Sequence, residues 1–388
     1  MTIKLYTSVE FWLLFCYLVC FAIQMYYYWV VFRHLAFYKS KEIQRELPLE
    51  PVSVIVVAHN EYNNLSRLIP LLLKQDYPDF EIVVVNDSSD DDTESFLLQL
   101  SSIDPRIKPI HLRQRLNWFD GKKFPLSIGI KSAQNDLLLL TDADCLPESD
   151  YWIRSVVAAY RNEHTSMVLA YGPYEKKKGL LNTLIRFDTL HIAMQYLSMA
   201  LIGKAYMGVG RNLSYRKSLF YEMGGFLSHY GIPSGDDDLF VSRACCGRKK
   251  SCEVLITDKD RMLSAPKKRF SEWVRQKRRH FTTSKFYRSS TKARLLFYGG
   301  SQFLFYLFFI LTLVFSLDYT SLPFCYSMIT ILAFFIRMTT QYIIFSGASK
   351  RLGEKDLLPF TPLYDLFFSI FTPLLAFSIK IVKPKRWK

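Results

Sequence analysis

An uncharged apolar run over residues 11–32, FWLLFCYLVCFAIQMYYYWVVF, constrains this chain more than any other feature. It is long enough to cross a bilayer as a helix. It is too long for a cleaved leader, lacks small residues at a cleavage site, and carries the aromatic belt Tyr26-Tyr27-Tyr28-Trp29. A retained anchor is therefore expected within residues 1–45. The flank after it, with Arg33, His34, Lys39, Lys41 and Arg45, is basic, which predicts a cytoplasmic exit into the plasma or inner membrane's inner face.

The far end repeats the pattern. Residues 295–317 and 322–345 are apolar runs joined by Asp318-Tyr319-Thr320, a linker without Lys or Arg, so both are expected to cross with that linker outside. Arg337 lies inside the second run, either snorkelling or facing protein. A last stretch, 357–382, contains Pro359, Pro362 and Pro373 and ends in the basic tail Lys383-Pro384-Lys385-Arg386-Trp387-Lys388. A full crossing would put that tail outside, against the charge bias. The expectation for the membrane region 295–388 is two spans and a proline-broken third segment that re-enters or lies on the surface.

The net charge is +15, and between residues 259 and 294 there are 13 Lys/Arg against 2 Asp/Glu. This excess leads directly into an apolar run, so it points to membrane lipids rather than nucleic acid. Within it, Phe270, Trp273, Val274 and Phe281 fall on one helical face with Arg275, Arg278 and Arg279 elsewhere. Residues 261–294 therefore read as an amphipathic helix lying at the membrane interface. The seven cysteines form no CxxC pair and fit a reducing compartment.

Between the apolar ends, residues 46–260 alternate strand and helix. Residues 52–57 (VSVIVV), 80–85 (FEIVVV), 107–111 and 136–141 read as strands, and 63–75, 92–100 and 123–132 as helices, with Pro70 kinking or ending the first. Such alternation of buried strands with helices predicts an α/β domain with a mostly parallel, Rossmann-like sheet covered on both faces. In these sheets the ligand sits beyond the carboxyl ends of the strands. Three polar clusters fall there: His59-Asn60-Glu61, Asn86-Asp87-Ser88-Ser89-Asp90-Asp91 and Asp142-Ala143-Asp144.

Asp142 and Asp144 are spaced to share one hard divalent cation, Mg²⁺ or Mn²⁺, which completes its shell with water and substrate phosphate. Asp87 can accept hydrogen bonds from a base or ribose, or serve the following helix as a cap. Lys122 and Lys123 can pair with a diphosphate, or cover a solvated helix face. Downstream, Asp236-Asp237-Asp238 precede an apolar helix; their mutual repulsion needs a compensating cation, helix terminus or catalytic use, and one of them can act as a general base.

In this order, the motifs resemble the membrane-bound, processive-type branch of the family 2 glycosyltransferases. The residues that carry the resemblance are Asn60-Glu61, Asp87 in VNDSSDDDT, Lys122 in DGKKFPL, Asp142 and Asp144 in TDADC, and Asn212 in GVGRNLSYRKSLF. GGF at 224–226, GDDDLF at 235–240 and Gln276-Lys277-Arg278-Arg279-His280 complete the series. The resemblance implies a GT-A fold, an inverting single displacement, a nucleotide-sugar donor (UDP- or GDP-linked) and Mg²⁺ or Mn²⁺. It implies a nucleotide role for Asp87, a diphosphate and metal role for Asp142 and Asp144, and donor or acceptor contacts for Gln276 and Arg279. The acceptor would be a lipid, a lipid-linked sugar or a glycan. Two departures stand out. Gly235 occupies the place of a family Glu; alignment on Asp238-Leu239 makes Asp236 the base, and alignment on Gly-Asp-Asp makes it Asp237. His280 replaces the usual Trp, which weakens a processive polymerase relative to single transfer. An inactive sugar-nucleotide-binding membrane scaffold is the alternative from another class, opposed by the intact carboxylates.

Overall fold

The computed structural model describes residues 9–39, 50–113, 121–162, 164–232, 234–246, 251–316 and 321–381. The linker 318–320 and the basic tail 383–388 lie outside these. Two compact units result, one built from Met1–Tyr38 with Arg288–Val382 and one from Lys39–Tyr287.

The central unit holds a seven-stranded sheet in the order β3-β2-β1-β4-β7-β6-β8. Its strands are β1 (Val52–Ala58), β2 (Phe80–Asp87), β3 (Ile107–Leu112), β4 (Leu137–Asp142), β6 (Met167–Ala170), β7 (Leu213–Arg216) and β8 (Cys252–Leu255); β5 (Cys145–Pro147) pairs separately with β9 (Met262–Ser264). β3, β2, β1 and β4 run parallel, and only β7 runs against its neighbours β4 and β6. β1 is buried along its whole length and β2 at all but its last residue, as their continuous Val/Ile runs require when both faces are covered. The unit's helices include α1 (Tyr62–Leu73), α2 (Thr93–Ile103), α3 (Lys123–Ser132), α4 (Leu180–Leu201), α5 (Asp238–Ala244) and α6 (Phe270–Phe281). Pro70 lies inside α1 without ending it, and Leu65, Leu68, Ile69 and Leu72 still form one buried face. The GT-A-type architecture expected from the sequence is therefore present.

The register places the polar clusters at one edge. Ala58 stands opposite Asn86, Val57 opposite Asp142, and Asp87 opposite Leu112. The chain leaves β1, β2 and β4 on the same side of the sheet.

α6 corrects one expectation. Trp273, assigned by its periodicity to the lipid face, is 1% exposed, whereas Phe270 beside it is 48% exposed. One turn on, Lys277 is also buried and pairs with Asp188 of α4 at 2.7 Å. The helix is amphipathic because Trp273 and Lys277 face protein, and a sequence pattern cannot tell protein from lipid as the covering partner. Trp273→Ala is expected to cost about 3–5 kcal/mol, the range for emptying a buried aromatic site. Thermal unfolding in detergent checks this; an unchanged transition would return Trp273 to the interface.

In the other unit, four helices among the described residues are long and apolar enough to cross a membrane: Val9–Ala36, Ser289–Phe315, Cys325–Leu352 and Lys355–Ile379. The last differs from the expected proline-broken segment. The break is confined to Gly353 and the 3₁₀ turn Lys355–Phe360, which contains Pro359, and Thr361–Ile381 is then one continuous helix. Pro362 sits in its first turn, where no intrahelical N–H is lost, and Pro373 is carried inside the helix.

Candidate active site

β1 delivers His59, Asn60 and Glu61 into the turn before α1. Asn60 adopts φ 57, a left-handed conformation that asparagine tolerates better than most residues. From there its backbone N–H donates to Ser89 Oγ at 2.9 Å, and its Oδ1 accepts the Asp90 N–H at 2.7 Å. The Glu61 N–H donates to Thr93 Oγ1 at 3.2 Å, while Asn64 donates to its carboxylate at 2.5 Å. Asn60 and Glu61 thus tie the loop after β1 to the loop after β2. Burial pushes the Glu61 carboxyl above its ordinary range; the Asn64 bond opposes this, and the charges of Asp144, Asp142 and Asp91 add to it. Asp87 ends β2, and its carbonyl lies 2.8 Å from His59 Nδ1.

β4 ends at Asp142, and Asp142, Asp144 and Cys145 each offer one ligand atom within 4.8 Å of the others. The two carboxylates are pushed in opposite directions. Burial raises Asp144 and the charge of Asp142 raises it further. Burial works the same way on Asp142, but the ion pair with Lys122, aided by Arg211 and Arg279, brings it below its ordinary value. Cys145 is the poorest of the three as a ligand for a hard cation, because its sulfur is soft; it sits 3.0 Å from Ser264 Oγ, and burial with both aspartates raises its thiol. Two crowded carboxylates, one with an ammonium and one against its neighbour's charge, fit a divalent cation.

Lys122 is placed by α3, which begins at the next residue. α3 lies close on the sheet because of Gly129, where a Cβ would come within 2.9 Å of Val85 and 3.0 Å of Ile55. Burial disfavours the Lys122 ammonium, but the charges of Asp142, Asp236 and Asp237 outweigh it and keep it charged. Lys122 therefore links the Asp142 cluster to the acidic segment before α5. Lys123 has a scaffolding role. It is buried and donates to the carbonyls of His229 (2.7 Å) and Ile232, fixing the loop that leads to Asp236.

The three carboxylates of that segment separate clearly. Asp238 is buried and bound by the Leu239 N–H, Thr283 and the Tyr287 hydroxyl. Asp237 caps α5, accepting from the Asp238 N–H at 2.7 Å and the Gly210 N–H at 3.0 Å. Burial, with the charges of Asp236 and Asp238, outweighs those two donors and pushes Asp237 up to about 8. Asp236 accepts no hydrogen bond from the described residues; its Oδ2 lies 3.7 Å from the Cβ position of Gly210, beside Asp237. The glycine that stands for the family Glu has a reason in its backbone. Gly235 has φ 102, and a Cβ there would meet the Leu239 side chain at 2.6 Å.

From α6, Gln276 donates to the Tyr174 hydroxyl at 3.3 Å, and the charge of Arg279 acts on Asp142. Asn212 serves the scaffold: it accepts from the Trp152 indole at 3.0 Å and donates to the carbonyls of Tyr171 and Asp260. Arg211, Tyr174 and Lys267 were not singled out from the sequence. Arg211 stacks over Tyr174 at 4.7 Å, is held by the Gly172 carbonyl, and acts with Lys267 on Asp144. Arg211 adjoins the quoted Asn212, but nothing local marks it as facing Asp142 and Asp144.

Comparison with known proteins bears on the family and the fold. Residues 53–224 match the model of the family described as Glycosyl transferase family 2. The chain is 28% identical over 194 residues to a probable glycosyltransferase, YdaM, of Bacillus subtilis, covering 48% of this chain and 45% of the relative. It is 26% identical over 145 residues to the poly-beta-1,6-N-acetyl-D-glucosamine synthase of Staphylococcus epidermidis, covering 35% of this chain and 34% of the relative. In both cases the match spans less than half of the relative's length. Among solved structures, it resembles a mannosyltransferase from Pyrobaculum calidifontis in complex with GDP-Man and Mn²⁺, with TM-score 0.55 and 16% identity, covering 93% of this chain and 99% of the other. The sheet and the match over residues 53–224 identify a Glycosyl transferase family 2 domain of GT-A-like fold within this chain, whose four apolar helices fit a membrane-bound form.

Proposed function

We propose that the chain transfers a sugar from a nucleoside-diphosphate donor to a hydroxyl of a lipid, lipid-linked or glycan acceptor at the cytoplasmic membrane face. The observation that carries this reading is the meeting of Asp142, Asp144, Lys122 and the uncommitted Asp236 at the carboxyl edge of a parallel sheet. Asp142 and Asp144 would hold Mg²⁺ or Mn²⁺, which supplies positive charge for the leaving diphosphate. Asn60, Glu61 and Asp87 border the nucleoside, and Lys122 and Arg279 face the diphosphate. The acceptor oxygen attacks the sugar's anomeric carbon, the bond to the diphosphate oxygen breaks with its electron pair, and Asp236 takes the hydroxyl proton. A single displacement of this kind inverts the anomeric centre.

Incubation of the purified chain with a panel of nucleotide-sugars, read by nucleoside diphosphate release, tests the proposal. Release from none of them, with Mg²⁺ or Mn²⁺ and membrane lipid supplied, overturns it. The name of the Staphylococcus epidermidis relative favours a second reading, repeated addition to a polymer. Product length in the same reaction separates the two.

Arg279→Ala is expected to raise the donor KM about tenfold or more, since one charge-assisted contact contributes about 1.5–3 kcal/mol. Gln276→Ala, which removes only a 3.3 Å bond to Tyr174, is expected to be milder. Steady-state kinetics with varied donor checks both, and an unchanged KM in Arg279→Ala removes α6 from the donor site.

A further inference from the structure

Arg337, in the middle of an apolar helix, is fully buried and has polar partners from all four apolar helices. Its Nη1 lies 2.6 Å from Asp365 Oδ2 and donates to the Tyr306 hydroxyl and Gln341 Oε1, both at 3.1 Å. Its Nη2 donates to Gln24 Oε1 at 3.2 Å and to the Tyr28 hydroxyl at 3.1 Å. Asp365 is satisfied in turn by Gln302 Nε2 at 2.7 Å and the Tyr306 hydroxyl at 2.5 Å. The reaction proposed above uses none of these residues.

The depth of this network is readable from the basic residues at the helix ends. At about 1.5 Å per residue, Gln24 lies about 14 Å from Arg33, Gln302 about 12 Å from Arg294, and Arg337 about 21 Å from Arg351. Gln24 and Gln302 fall near the middle of a hydrocarbon core of about 30 Å, and Arg337, bonded to Gln24, meets them there. Asp365 is bonded to two of them, so it shares their depth. The helix then continues unbroken from Asp365 to Ile381, about 24 Å, whereas about 15 Å suffices to leave the core.

We propose that Arg337 and Asp365 form an intramembrane clasp that seats Thr361–Ile381 as a fourth full crossing, with its Ile381 end on the opposite side from Lys350. An isolated charge in hydrocarbon is costly, so each partner holds the other's helix at this depth. The clasp also explains how a segment ending in Lys383, Lys385, Arg386 and Lys388 reaches the side that the charge bias disfavours.

The test uses the full chain in sealed cells, with its seven cysteines replaced and single cysteines introduced by Lys350→Cys or Lys388→Cys. A membrane-impermeant maleimide is added before and after permeabilisation. Lys388→Cys is expected to label before it and Lys350→Cys only after it. If both label in the same step, the fourth crossing is ruled out. Arg337→Leu or Asp365→Leu, each in the Lys388→Cys background, should lower tail labelling severalfold, and the double leucine variant should restore it by leaving no unpaired charge. Single variants that label like their parent, or a double variant no better than the singles, reject the clasp. The crossing itself is decided by the parent proteins, whatever the folding of the variants.

Discussion

Asp144→Ala is expected to lower kcat by about 10²- to 10³-fold, the scale for removing one preorganised charge contact to a leaving group. The argument starts from the imbalance at the end of β4. Asp142 has Lys122, Arg211 and Arg279 around it, whereas Asp144 is raised by burial and by the charge of Asp142. A divalent cation relieves that repulsion, so its removal should cost activity and stability together. EDTA is expected to abolish turnover, Mn²⁺ or Mg²⁺ to restore it, and either ion to raise the unfolding temperature of the parent but not of Asp144→Ala. In EDTA the order of stability should reverse. Without the cation, burial and the charge of Asp142 outweigh the help Asp144 receives from Lys267 and Arg211, and its removal is expected to leave the protein at least as stable as the parent. Full turnover in excess EDTA would end the metal assignment, as would a metal-induced shift that survives in Asp144→Ala.

The parallel strands β1 to β4 and the Asp142/Asp144 pair were legible because their signals are local, whereas the short strands β5 to β9 were not. A run such as VSVIVV reads as a buried strand without knowledge of its neighbours, and a carboxylate pair after such a run falls at the ligand edge by topology alone. Arg211 and Lys267 were not legible. Each reaches the site through a distant turn of chain, and no periodicity marks which arginine in a basic protein will face Asp142 and Asp144. The pattern on α6 was visible but its partner was not, since Trp273 meets protein where lipid would produce the same spacing. Lys123 and Asn212 were close to the right place, yet carbonyl acceptors at His229, Tyr171 and Asp260 take them into the scaffold. The continuity of Thr361–Ile381 was hidden by proline counting. A first-turn proline costs nothing, and the partner of Asp365 lies on another helix.

Asp236→Asn is expected to lower kcat by about 10²- to 10⁴-fold with donor KM nearly unchanged, the magnitude for loss of general-base help. Three adjacent carboxylates compete for the role, and their hydrogen bonds decide among them. Asp238 already serves Leu239, Thr283 and Tyr287, so its oxygens are taken. Asp237 has a value of about 8, which alone would suit a base working near neutrality, but its oxygens receive the N–H groups of Asp238, at the start of α5, and of Gly210. Those donors hold the carboxylate as the cap of the helix and lessen its pull on an acceptor's proton. Asp236 has no such commitment among the described residues and lies beside Gly210, which has no side chain to block an acceptor. Asp237→Asn should therefore keep most of kcat and lose stability instead, by about 0.5–2 kcal/mol for a weakened helix cap. Single-turnover transfer separates the two, because it reads the chemical step without product release. If Asp237→Asn stops that step while Asp236→Asn is mild, the base is Asp237, and the family Glu-Asp pair aligns on Gly235-Asp236-Asp237 rather than on Asp238-Leu239.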